Sequence, residues 1–494
     1  MDAVGSAAAI RPLEPAGAEL RVLLDEVAAY LVGVVDRLPD TPMTDLDGVA
    51  ELLADPELRQ PPPALGRPLS ELLAVIDRAA AKGYTTSSAG HLAYIPGSGL
   101  VTAAVADLIA QVLNRYTGLA FPAPGLVAME ADVLRWLADL FDLPPQAAGL
   151  LTTGGSMATL SAVITARTAM LGEQFLGGSV YVTEQTHLAV AKACRLAGFP
   201  AAAVRVLAVD ADLRMDPTAL RAAIAADRAA GRQPCCVVAS AGTTNTGTID
   251  ALPSIADIAA AEGLWLHVDA AYGGFFQLTA RGRQRLHGIE RADSIVLDGH
   301  KGLFLPYGNG CLLVRDGARL RAAHAGPEAH YLQDIQDSAL PDFAAYGPEL
   351  TRDFRGLKLW LPLHLHGVDA FRAALDEKLD LAEHAYRCLA TDPNLIVLGV
   401  PELSTLAFRC RPDPDHDERF VDAGERASRD TAADEATAEV LRRVNAERRV
   451  LLSSTRIGGR LVGRVSILNH RTDLARVDEA LDAIRRHAAA LRST

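Results

Sequence analysis

Six short apolar runs rich in β-branched residues follow one another between residues 179 and 315, and most of the stretches between them are Ala-rich and helical in pattern. The runs are SVYVT (179–183), VRVLAV (204–209), CCVVAS (235–240), LWLHVDA (264–270), SIVLD (294–298) and GCLLVR (310–315). Strands apolar on both faces and separated by helices can bury themselves only in a mostly parallel sheet covered on both sides. An amphipathic helix, LVAMEADVLRWLADLF (126–141), precedes them. The last two runs are joined without a clear helix, so that connection is expected to be antiparallel or irregular.

The flanks have other patterns. Residues 17–38 carry Leu20, Leu23, Leu24, Val27, Leu31, Val34 and Val35, a helical spacing. A Pro-rich connector (59–68) is expected to separate this amphipathic helix from the rest of the chain. The helix has two readings: an arm laid on a second subunit, or a helix folded back on its own domain. After FRGLKLW (354–360) a long helix leads into LIVLG, LSTLAFRC and GRVSILN, and a closing helix ends the chain, the pattern of a smaller α+β lobe. The densely charged stretch 411–436 is expected to be a mobile surface loop.

With 61 acidic against 48 basic residues, a formal charge of −13 disfavours nucleic acid and anionic membranes as partners. The six cysteines show neither a CxxC pair nor metal-ligand spacing, which fits buried thiols in a reducing cytoplasm. The N-terminus lacks a signal-peptide pattern, and the apolar stretch 99–113 is broken by Asp107 and too short to span a bilayer.

In an open parallel sheet, ligands gather at the carboxyl ends of the strands. Those ends here carry His187, then Ser240, Thr243 and Thr244, then Asp269, then His300 and Lys301; upstream, TTGGSMATL (152–160) is a Gly-Gly-Ser turn opening a helix. Each is weak by itself: the turn is most often a simple cap, and His187 most often a capping or surface residue. Together they offer an anion seat at a helix start, a carboxylate among apolar residues, an imidazole and a desolvated amine. Pyridoxal 5′-phosphate (PLP) meets all four. Lys301 would form a Schiff base with its aldehyde, Asp269 would pair with the pyridine nitrogen, and the turn would hold the phosphate.

HVDAAYGG with Lys301 of DGHKG 32 positions after Asp269, together with TTGGSMATL and EQTHLAV upstream, resembles the group II PLP-dependent decarboxylases, and most closely their aromatic-L-amino-acid decarboxylase subgroup. The resemblance runs from Gly90 through FRGLKLW and more loosely to GRVSILNHRT. It implies the aspartate aminotransferase-like type I fold, with a seven-stranded sheet and a homodimer whose active sites lie at the subunit interface. The expected division is an N-terminal arm (1–90), a large PLP-binding domain (91–370) and a small C-terminal domain (371–494). The resemblance makes Lys301 the Schiff-base lysine and Asp269 the partner of the ring nitrogen, with His187 stacked on the ring. Gly155, Ser156 and His300 hold the phosphate, Thr243 and Ala271 contact the ring or its substituents, and Tyr331 supplies the Cα proton. Tyr94 and Pro96 are expected to line the substrate pocket.

The expected reaction is decarboxylation of an L-amino acid, aromatic by first choice, to the amine and CO₂. The same parts could run transamination, aldehyde formation or carbon–carbon cleavage, because orientation selects the bond that breaks. A non-catalytic PLP-holding protein is the remaining alternative. Three departures from the family pattern bear on substrate choice: Gly302 where an aromatic residue is common, Met157 where Glu often follows the turn, and Leu92 where Pro is usual.

Overall fold

A computed structural model describes residues 13–326, 338–411 and 423–492, which fall into two units, Met1–Ser88 and Ala89–Thr494. In the first, the helix Gly17–Arg37 forms where the apolar spacing placed it. It is tied to the helix Leu69–Ala80 through Asp77, which accepts from Arg37 (3.0 Å) and Tyr30 (3.4 Å). Strands β1 (Thr44–Asp45) and β2 (Gly83–Tyr84) pair antiparallel. The Pro-rich connector therefore lies inside this unit, where Arg67 bonds Glu57 and Glu71, and the break in contacts comes later, after Ser88.

The second unit holds the expected sheet. Its strands are β3 (Ala148–Thr152), β4 (Gly178–Thr183), β5 (Val204–Leu207), β6 (Gln233–Ser240), β7 (Trp265–Asp269), β8 (Ser294–Leu297) and β9 (Gly310–Val314), in the order β3-β9-β8-β7-β6-β4-β5. Strands β5, β4, β6, β7 and β8 run parallel, and β9 is antiparallel to both its neighbours. All six runs became strands. The edge strand β3, with the sequence AGLLT, carries almost no β-branched signal and was not among them.

Alternate residues feed two cores, as the pleat requires. Cys236, Val238, Val296 and Leu312 pack with Ala158, Ala162 and Val163 of the helix Gly155–Leu171. Val237, Ala239, Val268 and Ile295 pack on the other face with Ile224, Ile255 and Ile258. In register, Cys236 stands beside Trp265, Val238 beside His267 and Ser240 beside Asp269, so Asp269 belongs to the face covered by the helix that opens at Gly155.

The C-terminal lobe is a second sheet of β10 (Leu395–Val397), β11 (Thr405–Cys410), β12 (Ser453–Ile457) and β13 (Arg460–Ser466), antiparallel in the order β10-β11-β13-β12. The charged stretch is not a loop throughout: residues 412–422 lie outside the described residues, but a helix spans Ala423–Ala446. Ala433, Thr437, Val440, Leu441 and Val444 are buried at helical spacing, while Asp430 and Asp434 grip Arg409. Charge density masked a narrow apolar stripe. Residues 90–92 are stitched to this lobe, with Leu451 N–H donating to Gly90 O (2.9 Å) and Ser466 N–H to Leu92 O (2.9 Å), which explains a fully buried Leu92.

Candidate active site

At the carboxyl ends of β6, β7 and β8 lies a cavity of about 300 Å³. Gly155, Ser156, His187, Thr243, Asp269, Ala271, His300 and Lys301 all line it. Lys301 sits on a single helical turn, Gly299–Gly302, directly after β8. Its Nζ is 2.9 Å from Asp298 Oδ2. His300 donates from Nδ1 to the carbonyl of Asn309 (3.0 Å), leaving Nε2 on the side of Asp298, 3.7 Å away. Burial lowers the pKa of His300 against the opposing pull of Asp298, so the ring is neutral.

His187 caps the helix Leu188–Leu196 by accepting the N–H of Ala189 on Nδ1 (3.3 Å), which fixes the proton on Nε2. Burial holds this imidazole below its ordinary pKa despite the attraction of Asp269. Asp269 ends β7 with Oδ1 accepting from the N–H of Ala271 (3.2 Å). Thr243 is locked by Thr246 Oγ1 (2.9 Å) and by the N–H of Thr248 (3.2 Å).

The glycines of the turn have separate reasons. Gly154 has φ +148°, a backbone state that side chains disfavour. A Cβ on Gly155 would stand 2.8 Å from Asp298 Oδ2, so only glycine lets the helix start lie against that carboxyl. The 17-residue helix it opens has no side-chain cap and no acid in its first turn, so its dipole and free N–H groups face the cavity. An anion seat, a carboxylate, a neutral imidazole and an ammonium around one cavity fit PLP group by group.

Tyr94 and Pro96 are not brought to the cavity lining. Tyr94 is half exposed with φ +58°, its N–H bonded to Ser453 Oγ (2.9 Å) and its carbonyl accepting from Arg464 (2.8 Å); Pro96 is buried. Tyr331 lies outside the described residues. Gly302 faces the core: a Cβ there would be 2.6 Å from Phe275 Cβ, so this departure is a packing requirement. Met157, by contrast, does line the cavity.

Sequence reading missed Asp298, although its place in an apolar run was a usable signal. It also missed Arg464 of β13, whose guanidinium donates to the carbonyls of Asn245 (2.8 Å), Tyr94 and Thr244, and to Ser453 Oγ (3.0 Å). Asn245 in turn donates to Gln185 Oε1 (3.0 Å), which lines the cavity. No local pattern announces a contact across 220 positions.

Residues 58–411 match the pyridoxal-dependent decarboxylase conserved domain, and the chain belongs to that family. It is 32% identical over 464 residues to an aromatic-L-amino-acid decarboxylase of Bacillus atrophaeus, covering 93% of each chain. It is also 32% identical to an L-2,4-diaminobutyrate decarboxylase of Rhizobium meliloti (strain 1021), covering 92% of this chain and 85% of that one. Its fold superposes on the Oryza sativa TDC solved with PLP and tryptamine at a TM-score of 0.88, with 27% identity over 98% of this chain and 99% of that one. The protein is thus a carboxy-lyase of fold type I whose cofactor is PLP.

Proposed function

We propose that this enzyme converts an L-amino acid, an aromatic one by preference, to its amine and CO₂, with Lys301 as the residue that attaches the cofactor. The observation that carries the reading is the convergence of Lys301, Asp269 and His187 with the Gly154–Ser156 turn on one cavity. The aromatic preference is supported by two of the relatives, one an aromatic-L-amino-acid decarboxylase and one a structure with tryptamine.

When bound, PLP supplies an aldehyde that takes up the substrate amine and a ring that accepts the electrons of the breaking Cα–carboxylate bond. Asp269 would keep a proton on the ring nitrogen. The N–H groups of Gly155 and Ser156, with His300, would hold the phosphate end, and neutral His187 would lie against the ring without adding charge. Thr243 and Ala271 would contact the ring or its substituents. Lys301 would be the point of attachment for the cofactor between turnovers. Tyr331 is assigned the donation of the Cα proton.

A homodimer belongs to the same reading. It is supported by the helix Gly17–Arg37, none of whose residues is buried and which exposes Leu20, Val22, Leu23, Leu31 and Val32. A cytoplasmic location is supported by six free cysteines, five of them buried. Among the described residues no helix is long and apolar enough to cross a membrane.

The test is a panel of L-amino acids assayed for CO₂ and amine in equal amounts. CO₂ with aldehyde and ammonia, or a keto acid without CO₂, would replace the proposed outcome. Wild-type turnover by Lys301→Ala would end the reading altogether.

A further inference from the structure

A second cavity, of about 670 Å³, has no task in the proposed reaction. It shares the turn 243–248 with the first: Thr243 and Thr244 line the cofactor cavity, and Thr246 and Thr248 line this one. Its other walls are the loop that follows β5 and the β10–β11 connection of the C-terminal lobe. The volume falls in the range of small-molecule sites, about 300–1,000 Å³. Leu213, Leu398, Val400, Leu406 and Ile457 give it an apolar side. Leu213 is held at φ +63°, a strained backbone state of the kind that gathers at ligand clamps.

Asp212, Arg214, Arg285 and Glu402 bring charge to the cavity, and part of it is already spent. Glu402 pairs with Arg214 (3.2 Å) and accepts the N–H of Ile249 (3.4 Å). Arg285 donates one N–H to the main-chain carbonyl of Glu402 (2.5 Å), and its guanidinium pairs with no carboxylate among the described residues. The Asp212 carboxylate has no cation beside it among those residues either. Arg214 Nε is buried without a hydrogen-bond partner among them. A zwitterion with an apolar side chain answers every one of these groups. Its carboxylate suits Arg285 and the Arg214 N–H, its ammonium suits Asp212, and its side chain suits Leu398, Val400 and Ile457. A simple anion would meet Asp212, and a simple amine would leave both guanidinium groups unanswered.

We propose that this cavity binds a free apolar amino acid, and that its occupancy reaches the cofactor through the hydroxyls of Thr248, Thr246 and Thr243. Thr246 Oγ1 lies 2.7 Å from Thr248 Oγ1 and 2.9 Å from Thr243 Oγ1, and all three residues are buried. Each hydroxyl has one hydrogen to give, so the row can run toward either cavity. A carboxylate in the second cavity draws those hydrogens toward itself. Thr243 then gives its hydrogen to Thr246 and presents a lone pair to the first cavity. Tyr272 makes a parallel link: it lines the cofactor cavity, and its hydroxyl is 3.0 Å from Thr405 Oγ1, which lines the second. The coupling rests on the reading that Thr243 contacts the ring, whereas the binding site does not.

L-leucine is the probe, titrated by calorimetry into full-length holoenzyme beside isocaproate and isoamylamine, which carry one each of its two charges. The wild type is expected to bind L-leucine, and to bind either fragment at least about tenfold more weakly. Arg285→Gln and Asp212→Asn, both changes of exposed side chains, should weaken L-leucine by at least about tenfold as well. No binding by the wild type, fragments that bind as well as L-leucine, or unchanged affinity in both variants overturns the site. The coupling is read as the rate at which holoenzyme loses PLP with and without L-leucine. That rate is expected to change about fivefold in the wild type and to stay fixed in Thr246→Val and Arg285→Gln. An effect that persists in both variants, or bound L-leucine that leaves the wild-type rate unchanged, overturns the coupling. None of these outcomes bears on Lys301, whose test is turnover by Lys301→Ala.

Discussion

Substituting Gly155 by Ala tests whether the helix start and Asp298 must touch for the cofactor to bind. The added Cβ would stand 2.8 Å from Oδ2 and 3.1 Å from Cγ, where ordinary contact begins at 3.4 Å. Asp298 cannot retreat, because it is buried at the end of β8 and holds Lys301. Relief must therefore come from the turn, the part that has to be in place when the phosphate is seated. Overpacking of this size costs about 1–3 kcal/mol. At 1.4 kcal/mol per tenfold, cofactor affinity should fall by about 5- to 150-fold. The assay is PLP binding to apoenzyme, followed by absorbance. Gly125→Ala is the control, since a Cβ there meets nothing within 4 Å and Ala favours the helix Pro124–Leu140. If Gly155→Ala binds PLP as tightly as the wild type, the close approach of turn and carboxyl is not what shapes the seat.

Gly302→Ala should lower stability by about 1–3 kcal/mol through its clash with Phe275, read as a reduced urea midpoint, while the order of preference across the amino-acid panel stays the same. A changed preference would restore Gly302 as a specificity residue. Burial depresses the folded-state pKa of His267 to about 4 and that of His470 to about 3, from 6.5. The stability tied to their neutral forms is present above pH 6.5 and is lost as pH falls through 4 and then 3. His267 alone accounts for about 3 kcal/mol of that loss, so urea midpoints should drop between pH 6.5 and 4, less so in His267→Gln. Arg464→Lys cannot reproduce a fork that meets three carbonyls and a hydroxyl, and should speed cofactor loss about tenfold with the melting curve of the rest of the protein preserved. An unchanged dissociation rate would show that the Thr244–Asn245 turn holds itself.

What could be read in the sequence was local or periodic. Both faces of β4, β6, β8 and β9 are buried, so their apolar runs were continuous and unmistakable. The strand-end residues Asp269, His187 and Lys301 were visible because parallel topology gathers them at one edge. Strand β3 escaped because its five residues begin with Ala-Gly. The helix Ala423–Ala446 escaped because its outward face is densely charged. Tyr94 was expected in the substrate pocket on motif position, yet its left-handed backbone turns its main chain toward Ser453 and Arg464. Asp298 stood in plain view beside the lysine, but only the distance to Nζ revealed what it faces.

The stitching of residues 90–94 to Leu451, Ser453, Arg464 and Ser466 has a consequence for how the protein is made. A ribosome delivers the strands β3 to β9, and every cavity-lining side chain, well before it delivers β13. Until then the turn at Thr244–Asn245 and the segment around Tyr94 lack the guanidinium that joins them. Partners separated by 219 to 370 positions impose a late, slow closure on an otherwise early sheet. The contacts that join the Thr244–Asn245 turn to the segment around Tyr94 thus form only after β13 is made, later than every residue that lines the cavity.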